Sequence, residues 1–195
     1  MRFSALLLAG GKSSRMGRDK ALLEIEGEPL WRRQLATLRQ LSPARLMIAG
    51  PAFAGCDCQI LRDEIPNAGP LAGVAAGLRH CTTSHLIVLA IDLPEMTADF
   101  FRALLADCGE GEGIVPRAAT VFEPLAAIYP VRAATLAASC LRAGEFSMQN
   151  FVRRALAENL IRPREIAPNE LALFTNLNTP ADYERFRARE IHPSR

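Results

Sequence analysis

Two short, unbroken apolar runs, FSALLLA at residues 3–9 and HLIVLAI at residues 85–91, constrain the fold of this 195-residue chain more than any other feature. A strand with one wet face alternates apolar and polar residues, whereas a run apolar at nearly every position must be covered on both faces. The first run stops at Gly10 and Gly11; the second stops at Asp92 and Pro94. Between them lie segments of helical periodicity. Leu30, Leu35, Leu38 and Leu41 share a stripe in LWRRQLATLRQL, and NAGPLAGVAAGLRHC joins a glycine-rich turn to an Ala/Leu-rich helix. TADFFRALLADC predicts a further helix, with Thr97 as its N-cap. RLMIAG and CQILRDE read as additional strands. Strand and helix in this rhythm imply an α/β fold with three layers, α/β/α, around a mostly parallel sheet.

The later half is less regular. GIVPR and EPLAAIYP read as strands around a turn, AATLAASCLRAG and SMQNFVRRALAENL as helices. FTNLNTPADYERFRAR carries an extended segment into a helix, with Thr179 as N-cap, Pro180 at the first helical position and Asp182 in the first turn. No repeat or linker divides the chain, so residues 1–195 are expected to form a single domain.

Composition mainly excludes. A net charge of +2 with 49% apolar residues gives no global signal for nucleic acid or a membrane surface, so any basic site must be local. No run reaches the roughly 20 apolar residues that span a bilayer, and MRFSALLLAGG is too short in its apolar part for a secretory signal. The five cysteines, Cys56, Cys58, Cys81, Cys108 and Cys140, show no repeated C-x-x-C spacing. They read as free thiols, Cys56-Asp57-Cys58 included, in a cytoplasmic protein.

In open α/β sheets ligands bind beyond the carboxyl ends of the strands. Three features should therefore meet: the loop after the first strand, Asp92, and the asparagines Asn176 and Asn178 before the last helix. In that loop Gly10 and Gly11 let backbone approach an anion, and Lys12, Arg15 and Lys20 can neutralise polyphosphate. The loop is neither a P-loop, which would need glycine at Leu6, nor a G-x-G-x-x-G turn. The histidines His80, His85 and His192 are scattered, without a local nucleophile motif, and the arginines at 117, 142, 153 and 154 suit solvated faces as well as a groove.

The pattern L-x-x-G-G-x-S-x-R-M-G-x-D-K resembles the signature of nucleotidyltransferases with the Rossmann-like nucleotide-diphospho-sugar transferase fold. With GPLAGVAAGL, LAIDLP, EPLAAIYP and TNLNTPADYERF in order, the chain is similar to the molybdenum cofactor guanylyltransferases. The resemblance implies transfer of GMP from GTP to molybdenum-molybdopterin, giving molybdopterin guanine dinucleotide and pyrophosphate, with Mg2+ as cofactor. It implies that Leu8, Ala9, Gly10 and Gly11 hold the nucleotide through backbone groups, that Arg15 and Lys20 contact its phosphates, and that Asp92 binds nucleotide and metal. Asp63 matches a nucleotide-binding aspartate, while Asn176 and Asn178 match a block on the metal and acceptor side. Implied partners are GTP and molybdenum-molybdopterin, together with molybdenum cofactor biosynthesis proteins and molybdoenzyme chaperones. A monomer without nucleic-acid or membrane partners is expected. One departure stands out: the family often carries a nucleotide-binding asparagine at the end of the second strand, where this chain reads Ile48, Ala49 and Gly50. A cytidylyl or sugar-phosphate nucleotidylyltransferase of the same fold, and a non-catalytic carrier of nucleotide or cofactor, are the alternative readings.

Overall fold

A computed structural model describes residues 1–10, 20–62, 65 and 68–191. In chain order the strands and helices are β1 (Phe3–Leu8), β2 (Glu24–Ile25), β3 (Glu28–Pro29), α1 (Leu30–Arg39), β4 (Leu46–Ala49), β5 (Gln59–Leu61), α2 (Pro70–His80), β6 (His85–Ala90), α3 (Ala98–Asp107), β7 (Gly113–Ala118), β8 (Val121–Phe122), β9 (Ala126–Pro130), α4 (Ala134–Arg142), α5 (Met148–Ala157), β10 (Ile161–Glu165) and α6 (Pro180–Ile191). Short 3-10 turns occupy Lys20–Leu22, Val131–Ala133 and Pro168–Phe174.

The main sheet runs β10-β7-β9-β6-β1-β4-β5, with β8 hairpinned onto β7. β1 lies inside it, parallel to β4 on one side and β6 on the other. Side chains of both strands alternate between two cores, as runs covered on both faces must. Ala5, Leu7, Ile87 and Leu89 pack with Leu35, Leu38, Phe101 and Leu104 of α1 and α3. Leu6, Leu8, Leu86 and Val88 pack with Leu71, Val74, Leu136 and Phe151 of α2, α4 and α5. The three-layer expectation is met.

Local signals read from the sequence hold at the helix starts. Thr97 accepts a hydrogen bond from the Phe100 amide at 3.3 Å. Thr179 and Asp182 cap α6 reciprocally: Thr179 Oγ1 accepts from the Asp182 amide at 3.2 Å, and Asp182 Oδ2 accepts from the Thr179 amide at 2.8 Å. Two features go beyond the sequence reading. β9 lies between β6 and β7 and is antiparallel to both, a sheet position that reading GIVPR and EPLAAIYP as strands around a turn leaves open. Ile161–Glu165, left without an assignment, is strand β10, parallel to β7 at the sheet edge. Its sequence, IRPRE, hides it, because Pro163 cannot donate to a ladder and is tolerated only at an edge. All five cysteines are free thiols, and among the described residues no helix is long and apolar enough to cross a membrane.

His85, 1% exposed at the start of β6, supplies a prediction. Its Nδ1 lies 2.9 Å from Ser84 Oγ, whose proton goes to the Arg2 carbonyl, and its Nε2 donates to the Glu112 carbonyl at 3.3 Å. Burial lowers its pKa below the ordinary 6.5. The unfolded chain therefore binds a proton that the native state refuses, and stability falls as pH drops through 6.5 towards the native pKa. Urea unfolding between about pH 7.5 and 5.5 should show a loss of up to about 1.4 kcal/mol per pH unit from this group. A His85→Gln variant should flatten that component.

Candidate active site

The carboxyl ends of β1 and β6 form one rim. The Leu8 carbonyl accepts from the Ile91 amide at 3.0 Å, locking the two strand ends together immediately before Asp92. The Asp92 carbonyl in turn accepts from the Leu177 amide at 2.9 Å, and Leu177 is fully buried. That bond draws the segment before α6 to the rim and leaves Asn178 exposed beside it.

Lys20 closes the constellation. Its ammonium donates to Asn178 Oδ1 at 3.0 Å and lies 3.3 Å from Asp92 Oδ2. The turn carrying it is anchored by Ala21 and Leu23, both buried, and by the Leu30 amide donating to the Leu23 carbonyl at 2.8 Å. Tyr183 of α6 adds a hydrogen bond from its hydroxyl to the Glu24 carbonyl at 2.6 Å. Lysine, aspartate and asparagine, brought from three distant parts of the chain, thus meet with 17% and 23% of the Lys20 and Asp92 side chains exposed. An ammonium and oxygen donors at a partly open rim suit a polyphosphate and a hard cation.

Not every expected residue joins them. Asn176 turns away and donates to the Phe174 carbonyl at 3.3 Å, serving its own turn. Gly11, Arg15 and Asp63 lie outside the described residues, as does Lys12. The amides of Ala9 and Gly10 are committed to the sheet, both donating to the Ala49 carbonyl, at 2.9 and 3.0 Å. With both amides engaged in this way, the N–H groups of Ala9 and Gly10 are not free to meet an anion. Gly50, which with Ile48 and Ala49 stands at the strand end that lacks the family's asparagine, packs directly on this turn. An added Cβ there would sit 2.7 Å from Gly10 N, so the turn excludes any side chain at that point.

Two residues at the rim escape sequence reasoning. Gln34 of α1 is fully buried and its Nε2 donates to the Leu93 carbonyl, holding the loop next to Asp92, while its Oε1 is buried and has no partner among the described residues. A polar residue four positions after Leu30, on the apolar stripe, is the signal that marks it. Glu123, in the turn between β8 and β9, is half-buried; burial first, and the Asp92 charge second, push its carboxyl above the usual carboxylate range. EPLAAIYP contains it, but only the fold brings the turn between β8 and β9 within reach of the Asp92 charge.

At the other end of the strands, Cys56, Asp57 and Cys58 place their ligand atoms within 4.8 Å of one another. The Arg39 guanidinium already occupies this cluster, pairing with Asp57 Oδ1 and donating to Cys58 Sγ at 3.8 Å. Burial and the neighbouring Cys56 push the Cys58 thiol up to about 12. Both cysteines are free thiols, as read from the sequence.

Comparisons with known proteins show the family and the fold. Residues 5–160 match the MobA-like NTP transferase domain. The chain is 40% identical over 187 residues to the probable molybdenum cofactor guanylyltransferase of Opitutus terrae, covering 93% of each. It is 36% identical to the molybdenum cofactor guanylyltransferase of Cereibacter sphaeroides, covering 95% of each. The solved structure of molybdopterin-guanine dinucleotide biosynthesis protein A from Archaeoglobus fulgidus shares the fold, with a TM-score of 0.75 at 24% identity, covering 97% of this chain and 98% of that one. The chain belongs to the molybdenum cofactor guanylyltransferase family, nucleotidyltransferases of the MobA-like NTP transferase type.

Proposed function

We propose that this chain, acting as one nucleotidyltransferase domain, transfers GMP from GTP to molybdenum-molybdopterin, with Mg2+ as its divalent cation. The observation that carries the reading is the meeting of Lys20, Asp92 and Asn178 on one rim beside the β1 turn. A terminal phosphate oxygen of the pterin attacks the α-phosphorus of GTP; the new P–O bond forms as the α–β anhydride bond breaks, and pyrophosphate leaves with the electron pair. No enzyme nucleophile is required, so the protein's task is to align two anions and to neutralise charge.

The donor set fits a hard cation. Asp92 offers a carboxylate and Asn178 an amide oxygen, the ligand types that magnesium accepts alongside phosphate oxygens and water. When bound, Mg2+ would polarise the phosphoryl group and offset the triphosphate's charge. Lys20, held between Asp92 and Asn178, is placed to transfer its ammonium to phosphate oxygens and stabilise the departing pyrophosphate. The carbonyls of Ala9 and Gly10 are acceptors for the adjacent N–H donors on the edge of guanine. Gly11, Arg15 and Asp63 are assigned to nucleotide binding on the family pattern.

Pyrophosphate release from GTP only in the presence of molybdenum-molybdopterin tests the proposal, with CTP and ATP as competitors. Release from CTP in preference would move the assignment to a cytidylyl relative, and binding without release would identify a carrier. Lys20→Ala should lower kcat about 10²-fold, as loss of one electrostatic stabiliser does, with a smaller change in KM for GTP. An unchanged kcat would remove Lys20 from the transition state.

A further inference from the structure

We propose that Gln34 is a positioning residue for the transfer reaction, fixing the Asp92 carboxylate relative to the Lys20 ammonium from the start of α1; the inference rests on the nucleotidyl-transfer reading above. Three loops that follow neighbouring strands are fastened at this point of the helix. After β1, the Lys20 carbonyl accepts from the Leu23 amide at 3.2 Å, and the Leu23 carbonyl accepts from the amide of Leu30, the first residue of α1, at 2.8 Å. After β4, Phe53 stacks on Trp31 with ring centroids 4.8 Å apart and planes 4° from parallel. After β6, the Leu93 carbonyl accepts from Gln34 Nε2, one residue beyond Asp92. Leu30, Trp31 and Gln34 span about 6 Å of one helix, so a single rigid segment carries all three attachments. The 3.3 Å approach of Lys20 to Asp92 is therefore set from α1.

Gln34 makes the specific attachment of the three. The Leu30 bond is a main-chain bond, and the Trp31 contact is apolar. Gln34 alone among these three reaches its loop with a side-chain hydrogen bond, which fixes direction as well as distance. The main chain around Asp92 is held on both sides: the Ile91 amide donates to the Leu8 carbonyl at 3.0 Å, and the Asp92 carbonyl accepts from the Leu177 amide at 2.9 Å. The next carbonyl, that of Leu93, accepts from the Met96 amide at 3.1 Å within its own turn and from Gln34 across the core. Without Gln34 that peptide keeps only its local turn.

Burial argues that the bond, not the bulk, is what Gln34 contributes. It is fully buried on the face of α1 that carries Leu30, Leu35 and Leu38 into the core. An amide there gives up its hydration, and a hydrogen bond is what offsets that loss. An apolar side chain would fill the same space. A displacement of about 1 Å in a group that aligns reacting atoms lowers the rate by up to about 10²-fold, so an anchor next to Asp92 acts on turnover.

The test compares Gln34→Met, which keeps the side chain's length but cannot donate, with Leu38→Val, one helical turn further along the same buried face. Pyrophosphate release and Mn2+ binding are both measured on the full chain. Mn2+ is the metal probe, with the free ion followed by electron paramagnetic resonance beside a GTP analogue whose α–β bridging oxygen is replaced by a methylene group. Gln34→Met should lower kcat about tenfold with KM for GTP nearly unchanged, and weaken Mn2+ binding about tenfold, as loss of a group that orients a metal ligand does. Leu38→Val should lower the melting temperature while leaving kcat and Mn2+ affinity at wild-type values. If Gln34→Met does not fold, Gln34→Asn carries the same expectation, because its amide ends one methylene short of the Leu93 carbonyl. Wild-type kcat and Mn2+ affinity in the folded Gln34 variant, or equal losses in Leu38→Val, would overturn the positioning role and leave the parent reading standing. Neither pyrophosphate release nor saturable Mn2+ binding by the wild-type chain would overturn both.

Discussion

Asp92→Asn is expected to lower turnover by about 10²- to 10³-fold, and Asp92→Ala to abolish it, while both proteins melt close to the wild type. The side chain lies at the end of β6, where removing its charge costs the fold little. Its ion pair with Lys20 spans 3.3 Å between groups still 17% and 23% exposed, and pairs of that kind contribute at most about 1 kcal/mol. The hydrogen bonds that fasten this corner are backbone ones, from Ile91 to Leu8 and from Leu177 to Asp92. Neither substitution touches them. For a chain of this length a loss of about 1 kcal/mol moves the melting temperature by only about 2–4 °C. Activity and stability should therefore separate, in contrast to a core substitution, which lowers both. Pyrophosphate release measured alongside thermal melting checks this; wild-type-like turnover in Asp92→Ala would remove the metal and nucleotide role from that residue.

The residues that converge with Asp92 were partly visible beforehand, for a physical reason. An apolar run covered on both faces announces a central parallel strand, and ligands gather where such strands end, so Lys20, Asp92 and Asn178 could be brought together without coordinates. Asn176 shared the motif but not the geometry, because it is two residues nearer the preceding 3-10 turn, whose last carbonyl it satisfies. The backbone of Ala9 and Gly10 was expected to face the nucleotide, yet a motif does not reveal that both amides are already used by the Ala49 carbonyl. Gln34 left a faint trace as a polar residue on an apolar stripe. Glu123 left less, since its place depends on β9 entering between β6 and β7 and pairing antiparallel, a choice of sheet position that local periodicity does not encode. Strand β10 was hidden in the same way: IRPRE becomes a strand only because β7 offers it an edge.

Gly50→Ala should be the most damaging single-methyl change near the site, acting on stability and nucleotide binding together. Gly50 has φ +143°, a conformation that L side chains rarely adopt. The added Cβ would lie 2.7 Å from Gly10 N and 2.8 Å from the Ala9 carbonyl carbon, both backbone atoms that no rotamer change can move aside. Strain at such a φ costs about 1–3 kcal/mol and forced overpacking about 1–3 kcal/mol more. Relief requires the turn after β1 to separate from β4, which breaks the bonds from the Ala9 and Gly10 amides to Ala49. The expected result is a melting temperature lower by about 5 °C or more, with weaker GTP binding because the Ala9 and Gly10 carbonyls are displaced. Gly55→Ala is the matched comparison: its φ is also positive, +76°, but nothing lies within 4 Å of the new Cβ. That variant should lose only about 1 kcal/mol from backbone strain and bind GTP normally. Equal melting temperatures and equal GTP affinities in the two variants would show that the contact between Gly50 and Gly10 does not shape the nucleotide turn, and the missing asparagine at this strand end would then need another explanation.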